Sequence, residues 1–171
     1  MSRKNLIYLI LVIMTKSLFF ALIISLISSI SQAQAQNVIK VNKADNELYI
    51  IAVSSKSTAS YQILHLKTGW WKGVDVTLNI TAGTFTSGYE ANAINATQTN
   101  AVDLKGSKNI KLPAGDYAIL IATIDWGTKG YSSVTVNGKT YEENLDNSKP
   151  FNPIVNFKAG DEGNPIMITV K

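Results

Sequence analysis

The sequence predicts an all-β fold: one antiparallel β-sandwich of about eight to ten strands behind an N-terminal export signal. Three observations predict it. Apolar residues beyond Val38 recur with period two, most cleanly in the stretch VDVTLNIT at 74–81. Clusters of Gly, Asn, Asp, Ser and Thr separate these stretches at short, fairly regular intervals. No segment beyond the leader sustains a 3.6-residue period, so nothing there asks to be a helix.

The leader comes first. Residues 1–36 of the 171 contain no acid and are mostly apolar, with Arg3, Lys4 and Lys16 as their only charges. Residues 5–30 are long enough to span a bilayer, but Lys16 interrupts them. From Met14, an alternative start, the pattern is that of a secretory signal. Met14-Thr15-Lys16 is the basic region, Ser17 to Ser29 the apolar region, and Ala33-Gln34-Ala35 the small-residue cleavage motif. The expected division is a signal peptide at 1–35 and a secreted or periplasmic β-sandwich domain at 36–171.

The strands follow in order. Residues 38–43 and 47–54 flank Ala44-Asp45-Asn46, which reads as a hairpin turn. Residues 60–66 place Tyr61, Ile63 and His65 on one face, opposite Gln62, Leu64 and Leu66. In 74–81, Val74, Val76, Leu78 and Ile80 face inward. Shorter candidates lie at 84–89, 100–104 and 108–112. Residues 117–124 (YAILIATI) are apolar on both faces, which predicts a central strand covered on both sides. Residues 131–136 and 139–142 flank Asn137-Gly138, the strongest short hairpin signal, because both central residues of a type I′ turn need positive φ. Residues 153–158 and 165–170 flank a loop containing two glycines.

Charge and cysteine content narrow the function. Removing the leader takes three of the 16 basic residues and none of the 12 acids, so the net charge falls from +4 to +1. The remaining 13 cations are all lysine and are scattered, which argues against nucleic acid as a partner. No cysteine means no disulfide, thiol nucleophile or thiolate metal site. The single histidine, His65, sits mid-strand and reads as structural. No phosphate-binding, dinucleotide, zinc-protease or nucleophile-elbow fingerprint occurs. Paired carboxylates are the one catalytic device the inventory allows. Glu142, Glu143 and Asp146 in one expected loop, and Asp161 and Glu162 in another, lack calcium-loop spacing and read as solvated turn acids. No metal and no cofactor is expected. The sequons at Asn79 and Asn95 matter only in a eukaryotic secretory pathway, and a bacterial source fits the simple leader better.

The aromatics carry the functional reading. Trp70-Trp71 sit between Gly69 and Gly73, and extending the 74–81 alternation backward turns Trp71 outward. Asp125-Trp126-Gly127-Thr128-Lys129-Gly130-Tyr131 is a second aromatic loop at the end of a strand. Rings with nearby polar groups suit sugar rings or lipid headgroups. The expected ligand-binding residues are Trp71, Trp126 and Tyr131 as stacking surfaces, with Asp125 and Lys129 orienting the ligand.

Two resemblances add to this. Leu112-Pro113-Ala114-Gly115-Asp116-Tyr117 is similar to the turn-then-strand of secreted β-sandwich modules, including carbohydrate-binding ones. GTKGYSSVTVN at 127–137 and IVNFKAGDEGNPIMITV at 154–170 resemble segments of thermostable direct haemolysins, though the C-terminal cysteine pair of that family has no counterpart. The likeness covers two hairpin regions, and it implies a secreted pore-forming β-sandwich acting on a lipid membrane. The resulting expectation is an exported, non-enzymatic, lectin-like protein that binds a glycan or another cell-surface ligand. The alternatives are a haemolysin-like toxin and a periplasmic inhibitor or immunity protein.

Overall fold

The computed structural model describes residues 37–69, 73–92, 104–146, 148, 154–158, 160–161 and 164–171. Among them lie thirteen strands and no helix. They are β1 (Asn37–Ala44), β2 (Asn46–Ser54), β3 (Ser60–Gly69), β4 (Gly73–Ala82), β5 (Tyr89–Asn92), β6 (Leu104–Leu112) and β7 (Gly115–Asp125). There follow β8 (Lys129–Val136), β9 (Lys139–Asp146), β10 (Ile154–Lys158), β11 (Gly160–Asp161), β12 (Asn164–Pro165) and β13 (Met167–Val170).

Two sheets pack face to face. One runs β6-β4-β1-β8-β9, and the other β10-β7-β2-β3-β5 with β13 also on β7. Each sheet contributes one row of alternate side chains to the shared core. From the first sheet come Ile39, Val41, Val76, Leu78, Ile80 and Val134, and from the second Leu48, Ile50, Leu64, Leu66 and Ile119, all essentially inaccessible. Burying a side chain of this size contributes roughly 1.5–3 kcal/mol. A chain without cysteine has no disulfide to add to that core.

The sandwich is not wholly antiparallel. β3 pairs β5 in parallel, and so do β4 and β6. The cause is that β3, β4, β5 and β6 alternate between the two sheets, so strands two apart in sequence meet side by side running the same way. β6 is an edge strand with exposed Gly106 and Lys108 at positions its alternation would turn inward. Charges and glycine at an edge discourage pairing with another chain.

Several sequence expectations are corrected. Ala44-Asp45-Asn46 is not a hairpin turn, because β1 and β2 lie in different sheets. β1 pairs β4 and β8, while β2 pairs β3 and β7. The segment is a corner, and both flanking strands send their apolar rows into the common core. His65 does not share a face with Ile63. The β2–β3 register shifts between Ile50 and Ile51, and both Ile63 and Leu64 end up buried. The extra residue of the bulge turns His65 and Lys67 outward. The 84–89 candidate is extended only from Tyr89, and 108–112 belongs to the longer β6. Glu142, Glu143 and Asp146 lie in β9 rather than in a loop. β10 and β13 do not pair each other. They pair successive halves of β7, joined by Ile119 N–H donating to Ile166 O at 2.7 Å. The Asn137-Gly138 hairpin forms as expected, with φ of 47° and 87°.

β7 is central in its sheet, but its two faces differ. Tyr117, Ile119, Ile121, Thr123 and Asp125 are buried in the sandwich. On the other face Ala122 is buried, while Ala118, Leu120 and Ile124 remain partly exposed. Among the described residues the expected cover on both sides is therefore complete on one face and partial on the other.

Candidate functional site

The site-like features gather at the end of the sandwich where β1 turns into β2. Asp45 N–H donates to Tyr131 O at 2.9 Å, which ties the corner to the start of β8. Asn46 adopts φ 61°, a left-handed conformation that asparagine tolerates better than most residues. Its amide donates to Asp125 Oδ1 at 2.8 Å and lies 3.3 Å from Asp45 Oδ1. The Thr68 hydroxyl lies 3.2 Å from both Ala44 O and Asn46 O, and it can donate to one of them at a time. Asp125 Oδ1 also accepts from Gly127 N–H at 2.8 Å. One carboxylate oxygen thus holds both the corner and the 126–130 loop. Asp125 Oδ2 is buried with no hydrogen-bond partner among the described residues.

Gly130 is what lets this carboxylate fit. A Cβ there would stand 2.8 Å from Asp125 Cβ and 2.9 Å from its Cγ. The second acid, Asp45, is 8% exposed. Burial, and then the charge of Asp125, push its carboxyl up to about 6, partly offset by a backbone hydrogen bond at Asn46.

In front of this frame opens a cavity of about 530 Å³ lined by Asp45, Asn46, Gly127–Tyr131, Asn144, Leu145 and Asp146. The half-buried Tyr131 gives it an aromatic wall. Burial, and then the charge of Asp45, raise the Tyr131 phenol above its ordinary value, so it stays neutral. Lys129, Asn144 and Asp146 are exposed polar groups at its walls. The size falls within the usual range for small-ligand sites.

A second cluster lies on the outer face of the β2–β3 pair. Glu47 Oε1 accepts from the Trp126 indole N–H at 3.2 Å. Glu47 Oε2 accepts from the Tyr49 hydroxyl at 3.1 Å and lies 3.4 Å from His65 Nε2. Tyr49 and His65 are cross-strand neighbours, stacked with centroids 4.1 Å apart and planes 14° apart. Trp126 is 44% exposed.

The expected site residues therefore separate. Tyr131 and Lys129 line the cavity. Trp126 leaves the same loop but is anchored on Glu47 and is not part of the cavity wall. Asp125 is 0% exposed, so it cannot touch a ligand and acts by positioning the loop. Trp71 lies outside the described residues. Sequence reasoning missed Asp45, Asn46, Glu47 and Asn144. The signal was present: Asp45 and Asn46 are polar residues that the hairpin reading sends to solvent, and Glu47 is an acid opening the next expected strand. All three are buried, Asn46 against Asp125 and Glu47 against Trp126 and Tyr49.

Comparison with family models, with curated proteins and with solved structures finds no match. The function must be argued from the chemistry of this end of the molecule. Among the described residues no group of three or more His, Cys, Asp or Glu is placed to hold a metal ion.

Proposed function

We propose that this is an exported, non-enzymatic binding protein that takes a glycan or a similar polyhydroxylated cell-surface ligand in the end cavity. One observation carries the reading: a cavity with an aromatic wall and several polar groups, framed by a loop that a buried carboxylate holds in place. Tyr131 offers a face for an apolar sugar surface. Lys129, Asn144 and Asp146 supply hydrogen bonds around its rim. Trp126, fixed by its N–H to Glu47, leaves the same loop and is an exposed ring outside the cavity wall. The carboxylate pair supports binding over catalysis, because no substrate atom reaches a fully buried Asp125.

The test is a glycan panel read by calorimetry, followed by variants. Tyr131→Ala should weaken the best ligand by about tenfold, the value of one well-placed aromatic contact. Lys129→Ala should weaken it less. If neither variant changes affinity while circular dichroism shows the fold intact, the cavity is not the site.

A further inference from the structure

The floor of the end cavity carries negative charge that the chain does not balance. Asp45 and Asp125 are both buried there, at 8% and 0% exposure. The Asn46 amide bridges them, 2.8 Å from Asp125 Oδ1 and 3.3 Å from Asp45 Oδ1. Asp125 Oδ2 has no hydrogen-bond partner among the described residues. Nor, among those residues, does a lysine or histidine nitrogen lie within ion-pair distance of either carboxyl. The ion pairs stand elsewhere: Lys40 on Asp75, Lys56 on Asp116 and His65 on Glu47. At the rim, Lys129 is set opposite Asp146 across β8 and β9, so the one lysine of the cavity wall already faces an acid. Buried acids ask for an opposite charge or a full set of hydrogen bonds, and this pair has neither.

We propose that the ligand of this cavity carries a free amine, as an amino sugar does, and that its ammonium group seats on Asp45 beside the Tyr131 ring. The inference rests on the cavity reading and narrows it to a cationic ligand. Position favours it first. Asp45 lines the cavity and Asp125 stands behind, so a cation there donates to one carboxylate and feels the field of both. The wall favours it next, because the face of a tyrosine ring attracts a cation as well as hydrocarbon. Titration agrees: Asp45 keeps its proton up to about pH 6, the mark of a position that favours an added positive charge. A metal ion fits less well. A hard cation of the calcium type takes six or more oxygens, and among the described residues no three acidic or histidine side chains converge. The volume of about 530 Å³ also suits a sugar ring rather than a bare ion.

The β-linked trimers of glucosamine, N-acetylglucosamine and glucose test the proposal, since they share a backbone and differ in an ammonium, an amide or a hydroxyl on each ring. Calorimetry at about pH 7 and low salt has the Asp45 carboxylate in place and an amine beside it protonated. The glucosamine trimer should bind the parent protein about tenfold or more tightly than the other two, the worth of one charge-assisted contact. Asp45→Asn should remove that preference, and Asp146→Asn at the rim should reduce it. Equal affinities, a preference for a neutral trimer, no binding of the glucosamine trimer up to about 5 millimolar, or a preference that survives Asp45→Asn overturns the proposal. The cavity reading is judged separately: it stands if Tyr131→Ala weakens whichever trimer binds, and falls if that variant changes nothing. Two competitors settle the source of the positive charge. Calcium chloride that displaces the glucosamine trimer at matched ionic strength would assign the acids to a metal ion. Phosphoethanolamine that competes at equal concentration would assign the amine to a lipid headgroup. Either result overturns the amino-sugar assignment. Should Asp45→Asn fail to fold by circular dichroism, the ranking of the trimers on the parent protein and on Asp146→Asn decides.

Discussion

Asp125 shows how much one side chain can organise. Its Oδ1 satisfies a donor from the corner and a donor from the 126–130 loop, at 2.8 Å each. Hydrogen bonds to a charged acceptor contribute roughly 1.5–3 kcal/mol, more than neutral ones. The cost falls on the neighbour in space: residue 130 has no room for a side chain. Gly130→Ala would force its methyl against Asp125 Cβ and Cγ, at 2.8 and 2.9 Å, and neither the strand end nor the held carboxylate can yield cheaply. We expect a loss of about 1–3 kcal/mol in urea unfolding, the usual effect of overpacking. Ligand affinity should fall with it, because the displaced loop lines the cavity. A variant as stable as the parent would mean that Asp125 does not pack under Gly130 in solution.

At the scale of elements, the strands were legible and their partners were less so. Alternation marks β4 because Val74, Val76, Leu78 and Ile80 all enter one core. Asn137-Gly138 marks its hairpin because positive φ at two successive positions has a chemical signature. Asp45 and Asn46 are turn formers too, yet they serve a corner between sheets. A turn sequence states that the chain reverses, not which sheet it enters, and that depends on how the apolar rows of β1 and β2 meet across the core. The bulge that turns His65 outward was hidden for a similar reason, since Ile63 and Leu64 are both apolar and either could be the inward residue. The site was half legible: the 125–131 loop advertises its rings and glycines, while Asp45 and Asn144 reach it only through packing. The corner makes its own prediction. Thr68 at the end of β3 is buried, and its hydroxyl is shared between carbonyls on either side of the crossing. Thr68→Val keeps the shape and removes the donor. It should cost about 1–2 kcal/mol, with the denaturant slope unchanged. No loss would show that those carbonyls are satisfied without it.

For the whole molecule, the corner links folding to pH. The Asp45 carboxyl stands at about 6 in the folded chain against an ordinary 3.8. The native state therefore binds a proton more tightly than the unfolded chain does. The sign follows from linkage: this contribution is fully present below about pH 4 and is lost as pH rises through about 6. That opposes the usual acid lability of carboxylates, so stability measured across this window should fall toward neutrality wherever Asp45 dominates the titration. Asp125→Asn separates the two causes. It keeps an oxygen for Asn46 and Gly127 while removing the charge that repels Asp45, so the Asp45 carboxyl should titrate lower and the decline should shrink. It should not vanish, because burial, the larger cause, remains. Asp45→Asn should abolish it. Urea midpoints at pH 4, 5, 6 and 7 for the three proteins decide the matter. A decline that survives in Asp45→Asn would place the responsible proton elsewhere. The same proton sits at the floor of the cavity, where Asp45 turns from a neutral acid into a carboxylate over this range. Ligand affinity should therefore change with pH in the parent protein and lose that dependence in Asp45→Asn.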